Sequence, residues 1–164
     1  TCALPISTGC AEYFEEKSDP ERIIDIVRAS SSLPFVTPIS YVDGRPMLDG
    51  GIADSIPVVR ATEQGFDNCL VVLTRNAGYR KSAKPSFVPW FAYRRYPMLQ
   101  EAIRHRNAEY NKQMELVERL ESEGRITVIR PERPIEVGRM ERDTHRLLAL
   151  YNEGYDLASK VEIG

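Results

Sequence analysis

The chain has 164 residues, of which 42% are hydrophobic and 28% are charged. That length suits one domain with a sizeable core, and that composition excludes an intrinsically disordered chain. With 22 basic and 24 acidic residues, the formal net charge is −2, so the chain as a whole has no charge bias toward nucleic acid or anionic lipid. We therefore expect a globular domain whose function depends on a local site.

The first forty residues predict two short strands followed by a helix. The segment TCALPISTGCAEYFEE holds two strand-like pieces on either side of Thr8-Gly9. Asp19-Pro20 predicts a helix start, because Asp is a favoured N-cap and Pro suits the first helical position. The helix is predicted to end within residues 30–34. Its apolar stripe is predicted to consist of Ile23, Ile24, Ile26 and Val27.

A hairpin is predicted next, with its turn at Asp43-Gly44, a residue pair favoured in type I′ turns. Its second arm runs into Asp49, which is followed by Gly50 and Gly51. Adjacent glycines suit a sharp turn or the close approach of another segment. A short helix follows, with Pro57 in its first turn and Gly65 at its end. Asp54 and Ser55 are predicted to be its N-cap residues.

The remaining elements alternate between strands and helices. The run NCLVVLTRN, residues 68–76, predicts a buried strand of the kind found in parallel sheets, and RITVIRP predicts another. A long helix is predicted from about residue 98 to 123, ending at Gly124, and RDTHRLLALYNEGYDLASK predicts a final helix. This order predicts an α/β fold with a mixed sheet and helices on both of its faces.

Cysteine and histidine residues show no pattern typical of a metal site. Cys2, Cys10 and Cys69 are widely spaced, and we predict three unpaired thiols in a reducing compartment. His105 and His145 lie on charged helical segments and are predicted to be surface residues. We expect no metal and no cofactor, and the sequence shows no cluster of calcium ligands. The longest apolar runs are too short to span a bilayer, so a cytoplasmic protein is expected, or one peripheral to the inner membrane.

The loop of residues 79–97 is unusually rich in basic and aromatic side chains. Basic residues attract anionic head groups, and Trp and Tyr settle at the lipid–water interface. The residues proposed to contact a membrane are Trp90, Phe91, Arg94 and Arg95. The alternative is that the aromatic side chains pack on their own domain while the basic ends stay in water. The composition of the loop would also fit a nucleic-acid surface, but nothing else in the chain supports one.

Several segments resemble the patatin-like phospholipase family, in its bacterial members. These segments are TGCAEYF, RASSSLPFVTP, YVDGRPMLDGGIADSIPV, ITVIRPERPIEVGRMERD and YNEGYDLA, and they cover nearly the whole chain. The resemblance implies part of the three-layer α/β sandwich of that family. It makes residues 1–164 the C-terminal part of a single hydrolase domain, including its C-terminal strand and the helices from about residue 98.

The resemblance also implies a lipid acyl-ester hydrolase with a Ser-Asp dyad, in which Asp49 activates the nucleophile and Gly50 and Gly51 form the adjoining turn. The substrate would be a lipid or another ester. Without the resemblance, Asp49 would be interpreted as a turn-capping residue, since Asp-Gly is common in turns. The family often has Asn where this chain has Asp54.

The chain contains no Gly-x-Ser-x-Gly nucleophile motif. We therefore expect the nucleophile and the oxyanion hole to precede Thr1, and we expect residues 1–164 alone to be inactive. The serines of residues 30–32 are interpreted as structural, because a helix C-terminus is the wrong dipole end for an oxyanion. The alternative function is a non-catalytic lipid- or membrane-binding module.

Overall fold

The computed structural model describes residues 1–66, 68–138 and 141–161. Strands and helices follow one another in an α/β order that agrees with the sequence. The strands are β1 (Cys2–Pro5), β2 (Glu12–Tyr13), β3 (Ser40–Val42), β4 (Arg45–Asp49), β5 (Cys69–Val72) and β6 (Ile126–Ile129). The helices are α1 (Pro20–Ser30), α2 (Val58–Glu63), α3 (Pro97–Ser122) and α4 (Thr144–Ser159), with a 3-10 turn over Gly50–Ile52.

The chain divides into two units, one of Thr1–Pro57 with Lys81–Met114 and one of Val58–Arg80 with Glu115–Gly164. The first unit contains an antiparallel sheet in the order β2-β1-β4-β3. Strand β4 is therefore central, and its last residue, Asp49, pairs with Ala3 of β1.

Both faces of this sheet are covered within the first unit. On one face, Ala3 and Met47 pack with Ile26 and Ala29 of α1. The neighbouring residues Leu4 and Leu48 point to the opposite face, because successive strand residues alternate between faces. That second face packs against Val88 of the long loop and against Leu99 and Ile103 of α3. The α/β class with helices on both faces of a sheet is confirmed.

Helix α1 begins and ends as the sequence predicts. Asp19 is its N-cap and accepts backbone hydrogen bonds from Glu21 and Arg22, and Pro20 is its first residue. The predicted apolar stripe is only partly buried, since Ile26 is covered while Ile24 and Val27 are more than half exposed. The buried face of the helix is centred on Ile26 and Ala29. Each residue turns the helix by about 100°, so Ile24 lies about 160° around the axis from Ile26 and faces solvent.

The predicted β3–β4 hairpin is confirmed in its turn geometry. Asp43 and Gly44 both have positive φ, 51° and 72°, as a type I′ turn requires. The carboxylate of Asp43 also accepts two hydrogen bonds from the guanidinium of Arg22, which connects the turn to α1.

A pair of buried serine hydroxyls joins the end of α1 to β3. The Oγ atoms of Ser32 and Ser40 lie 2.7 Å apart, and Ser32 Oγ also donates to the carbonyl of Arg28. We expect Ser32→Ala to lower the free energy of unfolding by about 1–3 kcal/mol, because Ser40 would stay buried without its partner. The measurement is chemical denaturation of Ser32→Ala, Ser40→Ala and the double variant. The double variant should lose less free energy of unfolding than the two single variants lose in sum. Additive losses would contradict a coupled pair.

The second unit contains the parallel pair β5 and β6, in the register Cys69 to Ile126 through Val72 to Ile129. The predicted parallel pairing is therefore confirmed. The predicted burial of the first of these strands is wrong for alternate residues, because Leu70 is 40% and Val72 is 66% exposed. Along the described chain, parallel and antiparallel pairing occur in two separate sheets.

The C-terminal helices begin and end near the predicted residues. Gly124, with φ of 68°, follows α3 closely. Asp143 is the N-cap of α4 and accepts from the backbone of His145 and Arg146. Short helix α2 begins at Val58, so the prediction that Pro57 lies in its first turn is wrong. Gly65, with φ of 81°, lies just beyond its end as predicted.

Candidate functional site

Asp49 is the last residue of β4 and is held on both sides of its backbone. It pairs with Ala3 of β1, and its own N–H donates to the carbonyl of Ser32 at 2.8 Å. The side chain is half-buried. The backbone of this residue is held in place by hydrogen bonds within the sheet. A carboxylate in such a fixed position is well placed to orient a reacting group.

One oxygen of the Asp49 carboxylate is hydrogen-bonded to the 3-10 turn of Gly50–Ile52. Asp49 Oδ1 accepts from the N–H of Gly51 at 2.7 Å, so Asp49 caps the turn. Among the residues that the structure describes, none donates a hydrogen bond to Oδ2 of Asp49. An ionised carboxylate accepts at both oxygens, so Oδ2 is left to take a partner such as a serine hydroxyl.

The two glycines after Asp49 provide space rather than unusual backbone angles. A Cβ on buried Gly50 would lie 2.5 Å from Sγ and 2.8 Å from the carbonyl carbon of Cys2. A Cβ on Gly51 would lie 3.1 Å from Asp49 Oδ1. Neither glycine has a positive φ. The expected close approach of another segment is therefore found at Gly50, where the backbone of β1 leaves no room for a Cβ.

Asp54 has a different role from the predicted one. It was expected to cap the following helix, but α2 begins only at Val58, and the Asp54 carboxylate accepts from the hydroxyl of Tyr13 and from Nε2 of Gln113, the latter at 2.7 Å. The N-H of Ile56 donates to Oε1 of Gln113 at 3.0 Å. Asp54 thus fastens the segment after the glycines to β2 and α3.

Ser55 is likewise not the N-cap of α2. Its hydroxyl donates to the carbonyl of Gly51 at 2.7 Å, which stabilises the turn beside Asp49. The predicted capping role of Asp54 and Ser55 is wrong because both side chains are used by the preceding turn and by distant residues. The sequence offered no local signal for the contacts with Tyr13 and Gln113.

The serines of residues 30–32 are engaged with the backbone of α1. Ser30 and Ser31 both donate to the carbonyl of Val27, at 3.2 and 2.9 Å, and Ser32 donates to Arg28. Their interpretation as structural residues agrees with these bonds.

Cys2 is a neighbour of the site that the sequence did not single out. Burial raises the pKa of the Cys2 thiol above its ordinary value, and the charges of Asp54 and Asp49 raise it further. A thiol with a raised pKa is protonated at neutral pH and is a poor nucleophile. None of the three cysteines forms a disulfide.

The long loop between β5 and α3 combines both alternatives considered for its aromatic residues. Tyr93 and Tyr96 pack against the core of the first unit. Trp90 and Phe91 are 76% and 64% exposed, and their rings meet edge to face. Arg94 lies over the ring of Trp90, and Arg95 is exposed.

The described residues offer no cluster of metal ligands. Over residues 1–66, 68–138 and 141–161, no group of three or more His, Cys, Asp or Glu side chains could hold a metal ion. His105 is exposed and paired with Glu101, and His145 is exposed, as predicted. Within the same part of the chain, no helix combines the length and the apolar character needed to cross a membrane.

Comparison with known proteins finds two family models that match separate segments of the chain. Residues 96–161 match a family described as a domain of unknown function, DUF6363. The uncharacterized protein YjjU of Escherichia coli (strain K12) is 29% identical over 115 residues, which make up 68% of this chain and 32% of that protein. The chain therefore spans about a third of the length of this relative. Residues 4–62 match the patatin-like phospholipase family, so the resemblance seen in the sequence is confirmed for this segment, which holds Asp49.

Proposed function

We propose that this chain carries the acidic residue of a lipid acyl-ester hydrolase and that Asp49 is this residue. The observation that carries the proposal is the fixed position of the Asp49 carboxylate within the patatin-like segment. Its backbone is held by β1 and Ser32, and Oδ1 is held by Gly51. The other oxygen is oriented by these contacts and can accept a hydrogen bond.

The chemistry follows from a serine placed beside Oδ2. The carboxylate orients the serine hydroxyl and accepts its proton as the oxygen attacks the ester carbonyl, which gives an acyl-enzyme and releases the alcohol. Water then hydrolyses the acyl-enzyme and restores the serine. The serines of residues 30–32 and Ser55 already donate to backbone carbonyls. Because the chain contains no Gly-x-Ser-x-Gly motif, we propose that the nucleophile lies on a segment that precedes Thr1 and that residues 1–164 form part of one hydrolase domain.

The proposal is tested by comparing the full-length protein with residues 1–164 alone. The full-length protein should hydrolyse a short-chain ester such as p-nitrophenyl butyrate, and a serine-directed phosphonate should abolish this activity. Residues 1–164 alone should not hydrolyse the ester, because a positioned nucleophile is needed for the covalent step. Phosphonate-sensitive turnover by residues 1–164 would contradict the placement of the nucleophile, and an inactive full-length protein would contradict the enzyme.

The exposed aromatic residues favour a second candidate function, a lipid- or membrane-binding module without catalysis. Trp90 and Phe91 with Arg94 and Arg95 have the composition of an interfacial segment. This candidate requires vesicle binding without phosphonate-sensitive hydrolysis in the full-length protein, so the same preparations separate the two functions.

A further inference from the structure

Two loops of the first unit expose large apolar side chains. In residues 33–37, Phe35 is 55% and Val36 is 75% exposed. In residues 84–95, Phe87 is 84% exposed, and Trp90 and Phe91 are also largely in solvent. We call these two segments together the two-loop surface. Isolated exposed apolar residues are ordinary, but a contiguous group of large ones marks a surface that meets a partner.

The second loop is anchored so that these side chains stay outward. Val88, Tyr93 and Tyr96 pack into the core between the exposed residues. The backbone of the loop is bound to α3, because Gln100 Nε2 donates to the carbonyl of Ala92 at 2.6 Å and Ser86 N donates to the carbonyl of Arg104 at 3.2 Å. Aromatic side chains on a fixed loop lose little conformational entropy when they meet a partner.

Phe35 and Tyr93 join the two loops. Their ring centroids lie 5.2 Å apart, and the N–H of Phe35 donates to the hydroxyl of Tyr93 at 3.1 Å. Both residues have positive φ, 67° and 55°, which bulky side chains rarely adopt. Such a conformation persists only where the surroundings enforce it, and it is concentrated at functional sites. The contact therefore holds the apolar side chains of both loops in one arrangement.

The charge of the two-loop surface has a single sign. Residues 33–37 and 84–95 contain Lys84, Arg94 and Arg95 and no acidic residue, although the whole chain has a net charge of −2. The guanidinium of Arg94 lies 5.6 Å from the centroid of the Trp90 ring. Basic side chains beside exposed Trp and Phe fit the interface of a bilayer that carries anionic head groups.

We propose that the two-loop surface docks onto an anionic lipid bilayer, with residues 33–37 as a second lipid-contacting element beside the long loop. This inference rests on the proposed function, because docking would serve the hydrolysis of lipid esters, and it adds a bilayer surface as the place where the substrate is met. The first of these loops follows directly after Ser32, whose carbonyl accepts the N–H of Asp49. Docking would therefore bring the lipid phase next to the backbone that holds the candidate acid.

The experiment measures co-sedimentation of the full-length protein with phosphatidylcholine vesicles that either contain or lack phosphatidylglycerol. Val36→Asp should weaken binding to the anionic vesicles by about tenfold or more, because it removes an inserted apolar group and adds a repelled charge. Trp90→Ser with Phe91→Ser should weaken it at least as much. Val59→Asp is the matched control, since Val59 is 44% exposed in the first turn of α2, where an acidic residue is tolerated. Its binding should equal that of the parent.

Several outcomes would overturn the inference. The first is that Val36→Asp binds anionic vesicles as tightly as the parent does. The second is that the parent binds vesicles with and without phosphatidylglycerol equally. The third is that the parent binds neither kind of vesicle, which would mean that another segment or protein covers the two-loop surface. A loss of binding counts only when the melting temperature of the variant stays near that of the parent. Ester hydrolysis by the parent is measured separately. Vesicle binding without ester hydrolysis would refute the proposed enzyme and leave bilayer docking supported. Ester hydrolysis by the parent, with vesicle binding by the variants equal to that of the parent, would support the enzyme and refute docking through this surface.

Discussion

Replacing Asp49 by Asn in the full-length protein is expected to lower the rate of ester hydrolysis by at least about 100-fold, while the melting temperature stays near that of the parent. Asn keeps an oxygen that can accept from the N–H of Gly51, so the capped turn should persist. The amide cannot accept the proton of a serine hydroxyl as a carboxylate does, so catalysis should fail. Hydrolysis of p-nitrophenyl butyrate and thermal denaturation of the same preparations are the measurements.

Asp43→Asn is the matched control for this change. Asp43 lies in the hairpin turn that precedes β4, and Asn is well suited to its positive φ. The variant loses only a partly exposed ion pair with Arg22, so it should retain parental activity. If Asp49→Asn retained more than about a tenth of the parental rate, the loss would fall short of that of a positioned base. Asp49 would then return to the role of a turn-capping residue.

Asp54→Asn separates a structural carboxylate from a catalytic one within the same segment. Asn is uncharged and accepts at a single oxygen, so the charge-assisted bonds that the Asp54 carboxylate accepts from Tyr13 and Gln113 should weaken. We expect a stability loss of about 1 kcal/mol with most of the activity retained. If Asp54→Asn lost as much turnover as Asp49→Asn with an unchanged melting temperature, the catalytic role could not be assigned to Asp49 alone.

Gly50→Ala is expected to destabilise the protein by about 3 kcal/mol, at the upper end of the range for overpacked sites. The new methyl group would overlap Cys2, whose side chain and backbone both lie within 3 Å of it. Because β1 carries Cys2 and pairs with Asp49, relief of the overlap would displace the strand that supports the candidate site. Chemical denaturation measures the effect.

Two further variants make this result specific. Gly51→Ala should change stability by less than about 1 kcal/mol, because its only tight neighbour is the Asp49 carboxylate, and such a local contact can relax. Cys2→Ala in the Gly50→Ala background should not restore stability, since the carbonyl atoms of Cys2 remain at 2.8 and 2.9 Å. Parental stability of Gly50→Ala would show that β1 does not pack against this turn in solution.

Much of the local structure was predictable because each signal depends on residues a few positions apart. Asp19-Pro20 fixed the start of α1 through capping and the restricted φ of proline, and Asp43-Gly44 fixed the hairpin through its positive φ angles. Burial was predicted less well. Ile24, Val27, Leu70 and Val72 are apolar but exposed, because hydrophobicity indicates what a residue can pack against and not which neighbour reaches it.

The candidate site shows the same division. The sequence alone determined that Asp49 ends a strand beside two glycines, and the resemblance of the surrounding segments indicated the family that residues 4–62 match. Only the tertiary structure brought Asp54 to Tyr13 and Gln113, which lie 41 and 59 residues away, and Phe35 to Tyr93, 58 residues away. Contacts over such separations are set by how strands and helices pack, because no local steric or capping rule relates residues so far apart along the chain.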